Sequence, residues 1–249
     1  MTLSSRLTRP RGLANLDGRF PLESIDMSVA TALQAIPLFQ HLADDELARM
    51  AELARQRKYP KGSVILFEDD PGDALYVVIA GQVKVVLIGE DGREVILATL
   101  ADGDFFGEMS LIDDQPRSAH VIAMEKSNLL VLRRDDFQRC LEETPRIALG
   151  LLRALTKRLR LADSKIGGLV LLDVAGRVAR LLLEMADEND GVNISKKVTH
   201  HQIAQMIGSS RETVSRTMRT LTEENLIAVT SKTIAVKDRE AMEEAAGLR

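Results

Sequence analysis

Little aromatic material is available to this chain. Tryptophan is absent, and two tyrosines with six phenylalanines bring aromatics to 3% of 249 residues, so any core must be largely aliphatic. Cysteine is scarcer still. The single thiol, Cys140, excludes a disulfide framework within one chain and any iron–sulfur or zinc site needing four thiolates. That usage fits a reducing cytoplasm, the expected location. The four histidines, His41, His120, His200 and His201, fall into no H-E-x-x-H spacing, so neither a metal nor a haem is expected. A G-x-S-x-G elbow and a P-loop are also missing, and no enzyme activity is expected. No apolar run approaches the roughly 18 residues of a membrane span, and the N-terminus has no apolar signal core, so neither a membrane partner nor export is expected. A net charge of −4 gives no overall basic signature, and contact with nucleic acid would have to come from a local face.

What is present is ordinary for a globular protein of two domains: 45% hydrophobic and 28% charged residues. Residues 1–27, arginine-rich and broken by Pro and Gly, lack periodicity and read as a mobile arm. From about 28 to 56 the pattern is helical, and LADDELARMAELARQ sets Leu42, Leu47, Met50, Leu53 and Ala54 on one face. Between Gly62 and Arg134 the texture changes to short β-branched runs: VILF, LYVVI, VKVVLI, EVILATL, HVIA and LLVL. Runs at this spacing, parted by Gly and Asp, indicate a sandwich or small barrel, with GEDG (89–92) as the clearest hairpin turn.

After Asp135 the chain is helical again. Ala148, Leu152, Leu155, Leu159, Ala162, Ile166 and Leu169 recur at alternating spacings of 4 and 3, with Arg153, Lys157, Arg158 and Arg160 off that line. Such a heptad seam predicts a self-associating helix and hence a homodimer. Gly167-Gly168 weakens the helix by about 1 kcal/mol per glycine against alanine, and a hinge is expected there, around Gly167 to Asp173.

Residues 199–221, THHQIAQMIGSSRETVSRTMRTL, pair Thr199 with Gln202 and Ser209 with Glu212 as capping boxes on either side of Gly208. Two short capped helices around a glycine turn are a helix-turn-helix signature. On the second helix Val214, Thr217, Met218 and Leu221 share an inward arc, while Arg211, Glu212, Ser215, Arg216 and Arg219 fill the outward one. Arginine takes guanine O6 and N7 bidentately and a carboxylate accepts from cytosine N4, so this arc is suited to a major groove. His200, on the first helix, suits a phosphate. LIAVTSKTIAV (226–236) reads as a small hairpin with Lys232 at its tip, available to another phosphate.

One further stretch, GEMSLIDDQPRSA (107–119), sets the carboxylate Glu108 and the cation Arg117 nine residues apart amid strand-like sequence. An ion pair would use both charges. So would one small ligand with hydroxyls at one end and an anion at the other, because a carboxylate only accepts and an arginine forks onto phosphate oxygens. Were Gly107-Glu108 to open a short helix, its free N–H groups would also favour an anion.

With GDALYVVIAGQVKVV (72–86), DGDFFGEMSLIDDQPRSAHVIA (102–122), LVLLDVAGRVARLLL (169–183) and IGSSRETVSRTMRTL (207–221), the chain resembles the CRP–FNR family of bacterial transcription regulators over roughly 220 residues. The resemblance implies an α+β protein: a cyclic-nucleotide-binding β-roll domain (28–145), a dimerisation helix (146–169) and a winged helix-turn-helix DNA-binding domain (170–249). In the family's cyclic-AMP binders the residue matching Glu108 accepts the ribose hydroxyl, and the pair matching Arg117-Ser118 holds the phosphate. Gly107 and Met109 flank that site. At the positions of the family's adenine-contacting Thr-Ser pair stand Ala162 and Asp163. Alanine makes no side-chain hydrogen bond, and Asp163 suits the N1–H and N2–H of guanine. Cyclic AMP is favoured by the complete sugar–phosphate motif, while Asp163 keeps cyclic di-GMP, or another guanine nucleotide, as a rival. A regulator that binds no ligand is a third reading, and an enzyme or transporter module governed by the same roll is a fourth. Double-stranded DNA with two half-sites and RNA polymerase, the latter through the acidic segment ADENDG (186–191), are the implied partners.

Overall fold

The computed structural model describes residues 27–34, 36–40, 42–194, 198–230 and 233–248. The arm expected over 1–27 lies outside them except for Met27, and so does Lys232. The chain divides into two compact units that meet between Thr156 and Lys157, within one long helix.

The first unit opens with helices α1 (Met27–Gln34) and α2 (Asp44–Leu53), followed by strands β1 (Arg55–Tyr59), β2 (Val64–Leu66), β3 (Ala74–Ala80), β4 (Val83–Ile88), β5 (Glu94–Leu100) and β6 (Phe105–Phe106). A short helix α3 (Met109–Ile112), strands β7 (His120–Ala123) and β8 (Ser127–Arg133), and helix α4 (Arg134–Glu143) complete it before α5 (Pro145–Leu171) begins. Two antiparallel sheets result, in the orders β1-β8-β3-β6 and β2-β7-β4-β5.

The continuous apolar runs now have a cause. Along β3, Ala74, Tyr76 and Val78 join Val83, Leu100, Phe106 and Val121 in one core, whereas Leu75 and Val77 join a second core with Phe39, Met50, Phe137 and Ile147 of the helical segments. Strand β8 divides likewise, Leu129 and Val131 to the first and Leu130 and Leu132 to the second. A strand buried on both faces cannot show a polar alternation. The GEDG turn holds as expected: Gly89 N donates to Arg93 O at 2.9 Å, and Gly92 takes φ +78°, a left-handed conformation that glycine adopts without strain.

The helical reading to Gln56 needs correction. Helix α2 begins on a carboxylate-rich turn, with Glu46 Oε2 accepting from Ala43 N at 2.8 Å, and ends at Leu53. Arg55–Tyr59, RQRKY, instead pairs antiparallel with β8 as an edge strand. A sheet edge tolerates charged residues and even uses them to block further pairing, so β1 carries no apolar signature.

The second unit contains the remainder of α5, then α6 (Val174–Asp187), β9 (Asn193–Ile194), α7 (His200–Ile207), α8 (Arg211–Glu223), β10 (Ile227–Val229), β11 (Ile234–Val236) and α9 (Arg239–Ala245). Its core gathers Val178, Leu182 and Leu183 of α6, Ile203 and Ile207 of α7, and Val214, Met218 and Leu221 of α8 with Ile227, Ile234 and Met242. The three strands pair in the order β10-β11-β9. Gly176 admits α9 closely: a Cβ there would lie 2.8 Å from Ala245 O.

Gly167 and Gly168 do not interrupt α5, and the break between helices falls at Leu172-Asp173, inside the segment 167–173 where a hinge is expected. Leu172 N still donates to Gly168 O at 3.1 Å, and the next helix is started by Asp173, whose Oδ1 accepts from Gly176 N at 2.8 Å. A strong cap decides the position of the break over two weak helix formers in a 27-residue helix. Arg177 then ties this junction to the DNA motif, donating from Nη1 to Leu172 O at 2.8 Å and from Nε to Ile207 O at 3.1 Å.

Candidate nucleotide site and DNA interface

In the first unit Gly107 adopts φ +85°, and Glu108 follows it as the residue that opens α3. The bare Cα of Gly107 is needed twice over, because a Cβ would lie 2.7 Å from Arg117 Nη1 and 3.0 Å from Ala74 O. Glu108 and Arg117 are 2% and 3% exposed, so both charges are withdrawn from water. The Arg117 guanidinium donates from Nη1 to Gly107 O at 2.6 Å and from Nη2 to Ala74 O at 2.8 Å and Asp73 Oδ1 at 3.1 Å. Its Nε is buried without a partner among the described residues. Beneath the fork lies Tyr76, 6.0 Å from Arg117 Cζ to the ring centroid and stacked on Phe106 at 5.1 Å. Burial, aided by Asp73, pushes the Tyr76 hydroxyl above its ordinary pKa and keeps it a neutral donor.

Met109 and Ser118 are exposed beside this buried pair, with Ser118 Oγ 3.8 Å from Met109 Sδ. Two anchors missed by the sequence reading hold the loop. Asp73 is the carboxylate that Arg117 meets, and Arg134 clasps the loop backbone, donating to Gly72 O at 2.8 Å and Ser110 O at 2.7 Å. Asp73 stands within GDALYVVIAGQVKVV, where its acidity between glycine and a strand was the available signal.

Ala162 and Asp163 are exposed on α5 in the second unit. Along that helix Leu152, Leu159, Ile166 and Leu169 are 55–63% exposed, while Leu155 packs into the helical core of the first unit.

The DNA motif is capped as expected at its first helix and differently at its second. Thr199 Oγ1 accepts from Gln202 N at 3.1 Å, and Gly208 ends α7 with φ +65°, ψ +51°. The cap of α8 is Ser210, not Ser209: Ser210 Oγ accepts from Thr213 N at 3.1 Å, in extended backbone at φ −83°, ψ 150°. The left-handed Gly208 takes the chain out of α7, Ser209 N still donates to Ala204 O at 3.0 Å, and the cap falls one residue later. The arcs stand as expected: Val214, Met218 and Leu221 are buried, and Arg211, Glu212, Arg216 and Arg219 are exposed. Arg211, Glu212 and Arg216 make no side-chain hydrogen bond or ion pair among the described residues, while Arg219 lies 3.6 Å from Glu223. Ser215 is half-buried, and its Oγ lies 2.9 Å from His200 Nδ1. The hairpin of β10 and β11 is present, closed by Thr230 N donating to Thr233 O at 2.9 Å.

A β-roll, a long helix and a winged helix-turn-helix with Arg211, Glu212 and Arg216 exposed on its second helix define a DNA-binding regulator rather than an enzyme. Residues 56–144 match the cyclic nucleotide-binding domain, and residues 176–245 match the Crp-like helix-turn-helix domain. The chain is 36% identical over 214 residues to the cyclic AMP receptor protein of Thermus thermophilus, covering 86% of this chain and 98% of that one. It is 30% identical over 210 residues to the CRP-like cAMP-activated global transcriptional regulator of Mycobacterium tuberculosis, covering 82% and 94%. Among solved structures, the c-di-GMP responsive global regulator CLP of Xanthomonas campestris superposes with a TM-score of 0.69 at 26% identity over 78% of this chain and 99% of that one. The chain belongs to the CRP–FNR family of transcription regulators and carries that family's cyclic nucleotide-binding domain. Among the described residues no helix is long and apolar enough to cross a membrane.

Proposed function

We propose that this protein is a homodimeric regulator whose DNA binding is set by a cyclic nucleotide, with Glu108 accepting from the ribose and Arg117 and Ser118 holding the phosphate beside Gly107 and Met109. The carrying observation is the buried Arg117 fork, which has a free Nε and meets the Gly107 carbonyl where any Cβ would intrude. Cyclic AMP is the first candidate, as for the relatives whose names include it. Cyclic di-GMP is a second reading with its own support, the exposed carboxylate of Asp163 where Ala162 offers nothing to a base, together with the likeness to a regulator described as c-di-GMP responsive. The exposed leucine and isoleucine line of α5 supports self-association through that helix. Two copies would present α8, with Arg211, Glu212, Ser215 and Arg216 reading bases and His200 and Lys232 on phosphates, to two half-sites about one helical turn apart. Contact with RNA polymerase is assigned to the acidic segment 186–191, and a regulator of chromosomal DNA would work in the cytoplasm.

Calorimetry with cyclic AMP, cyclic GMP and cyclic di-GMP tests the ligand. One of them is expected to bind the native protein and to lose at least tenfold in affinity in Arg117→Ala and Glu108→Ala. Unchanged affinity in both variants rejects the pocket, and silence with all three ligands rejects nucleotide control.

A further inference from the structure

The bond between His200 and Ser215 joins the first turn of α7 to the middle of α8 on the surface assigned to DNA. It is the only side-chain hydrogen bond either residue makes among the described residues, and Nε2 of the imidazole makes none. Ser215 lies one turn after Arg211 and Glu212 and adjoins Arg216. On this face the serine hydroxyl is thus under local control while its charged neighbours are uncommitted.

A serine hydroxyl has one hydrogen and two lone pairs. When Nδ1 is bare, the hydroxyl gives its hydrogen to the ring and can only accept from outside. It then suits an amino group, adenine N6 or cytosine N4. When Nδ1 carries a hydrogen, the ring donates to Oγ and the serine hydrogen is released. It then suits guanine O6 or N7, adenine N7 or thymine O4, and one lone pair is left to accept as well.

We propose that Ser215 reads one base pair of the operator and that His200 is a positioning residue that sets which base it prefers, through the direction of the shared hydrogen. This rests on α8 being the reading helix. A ring that offers Nε2–H to a phosphate leaves Nδ1 bare and confines the serine to accepting, whereas a ring hydrogen on Nδ1 leaves the serine able to donate.

The test uses the full chain with whichever of cyclic AMP or cyclic di-GMP gives tighter DNA binding. An operator is first recovered from a pool of random duplexes. Affinities are then measured for all four base-pair choices at each position, with the native protein, Ser215→Ala, His200→Ala and the double variant, each checked for native-like melting. At one position His200→Ala is expected to change the ratio between the two orientations of a pair, A against T or C against G, about fivefold or more. The ratios at other positions should hold. Ser215→Ala should flatten the preference at that same position, and adding His200→Ala to it should change no ratio further. Ratios in His200→Ala equal to the native ones at every position overturn the proposal. So does a loss in His200→Ala by the same factor on every duplex, which would leave only a phosphate contact. Failure to recover any duplex would instead overturn the assignment of α8 as the reading helix, and the proposal with it.

Discussion

Arg117 and Asp73, 44 residues apart in the chain, meet at 3.1 Å between Nη2 and Oδ1, and the same Nη2 reaches the Ala74 carbonyl. The arginine is 2% exposed at its side chain and the aspartate 55%, so one partner is sealed in and the other wet. The fork, not the charge alone, satisfies two backbone carbonyls. Arg117→Lys keeps the charge but cannot span Gly107 O, Ala74 O and Asp73 together. It should lower unfolding stability by about 1–3 kcal/mol and nucleotide affinity at least tenfold, read by denaturant titration and calorimetry.

Gly107→Ala tests the same corner from the backbone side. The added methyl meets Arg117 Nη1 at 2.7 Å and the backbone stands at φ +85°. A cost of about 1–3 kcal/mol is expected, with nucleotide binding lost, and an unshifted melting curve would contradict it.

The cap of α8 separates two adjacent serines. Ser210→Ala removes the acceptor for Thr213 N and should cost about 1 kcal/mol, whereas Ser209→Ala should be nearly silent. Chemical denaturation of the two variants side by side decides it.

Asp190 accepts from Asn193 N at 2.6 Å and Asn193 Nδ2 at 2.8 Å and then from Val192 N at 2.9 Å, which lowers its carboxyl to about 2 from the ordinary 3.8. Because the folded value is the lower one, the stabilisation from this turn is present above the ordinary value and is lost as pH falls through about 2. A carboxyl-detected acid titration should show it, and Asn193→Ala should move the midpoint upward.

If α5 pairs with its counterpart, Leu159→Glu places a charge in the middle of an apolar seam, from a position 63% exposed in the single chain. Dimer dissociation should strengthen about a hundredfold or more, seen by sedimentation, while the melting of the monomer is little changed.

Much of the architecture could be read from local pattern. VKVVLI, EVILATL and HVIA match β4, β5 and β7 residue for residue, because β-branched runs between glycine and aspartate have few other outcomes. Strand β1 was hidden because an edge needs no apolar face, and β6, Phe105–Phe106, because two residues have no period. The inward arc of α8 followed from helical spacing alone. Ser210 was missed since capping statistics cannot tell neighbouring serines apart without the φ of Gly208. The partners of Arg117 were out of reach for another reason: Asp73 and Ala74 are brought to it by sheet pairing, and no local rule states which distant carboxylate will arrive.

Between the last turn of α5 and the first of α6 stand only Leu172 and Asp173, and the aspartate is fastened to α6 through Gly176 N. Swinging motion within this unit is therefore confined to the torsions of about one residue, a pivot rather than a flexible strap. Even that residue gives its carbonyl to Arg177, whose guanidinium also grips the end of α7 at Ile207. A turn at Leu172 cannot occur without straining or releasing that grip, so the point of least helical order is also mechanically bound to the helix-turn-helix.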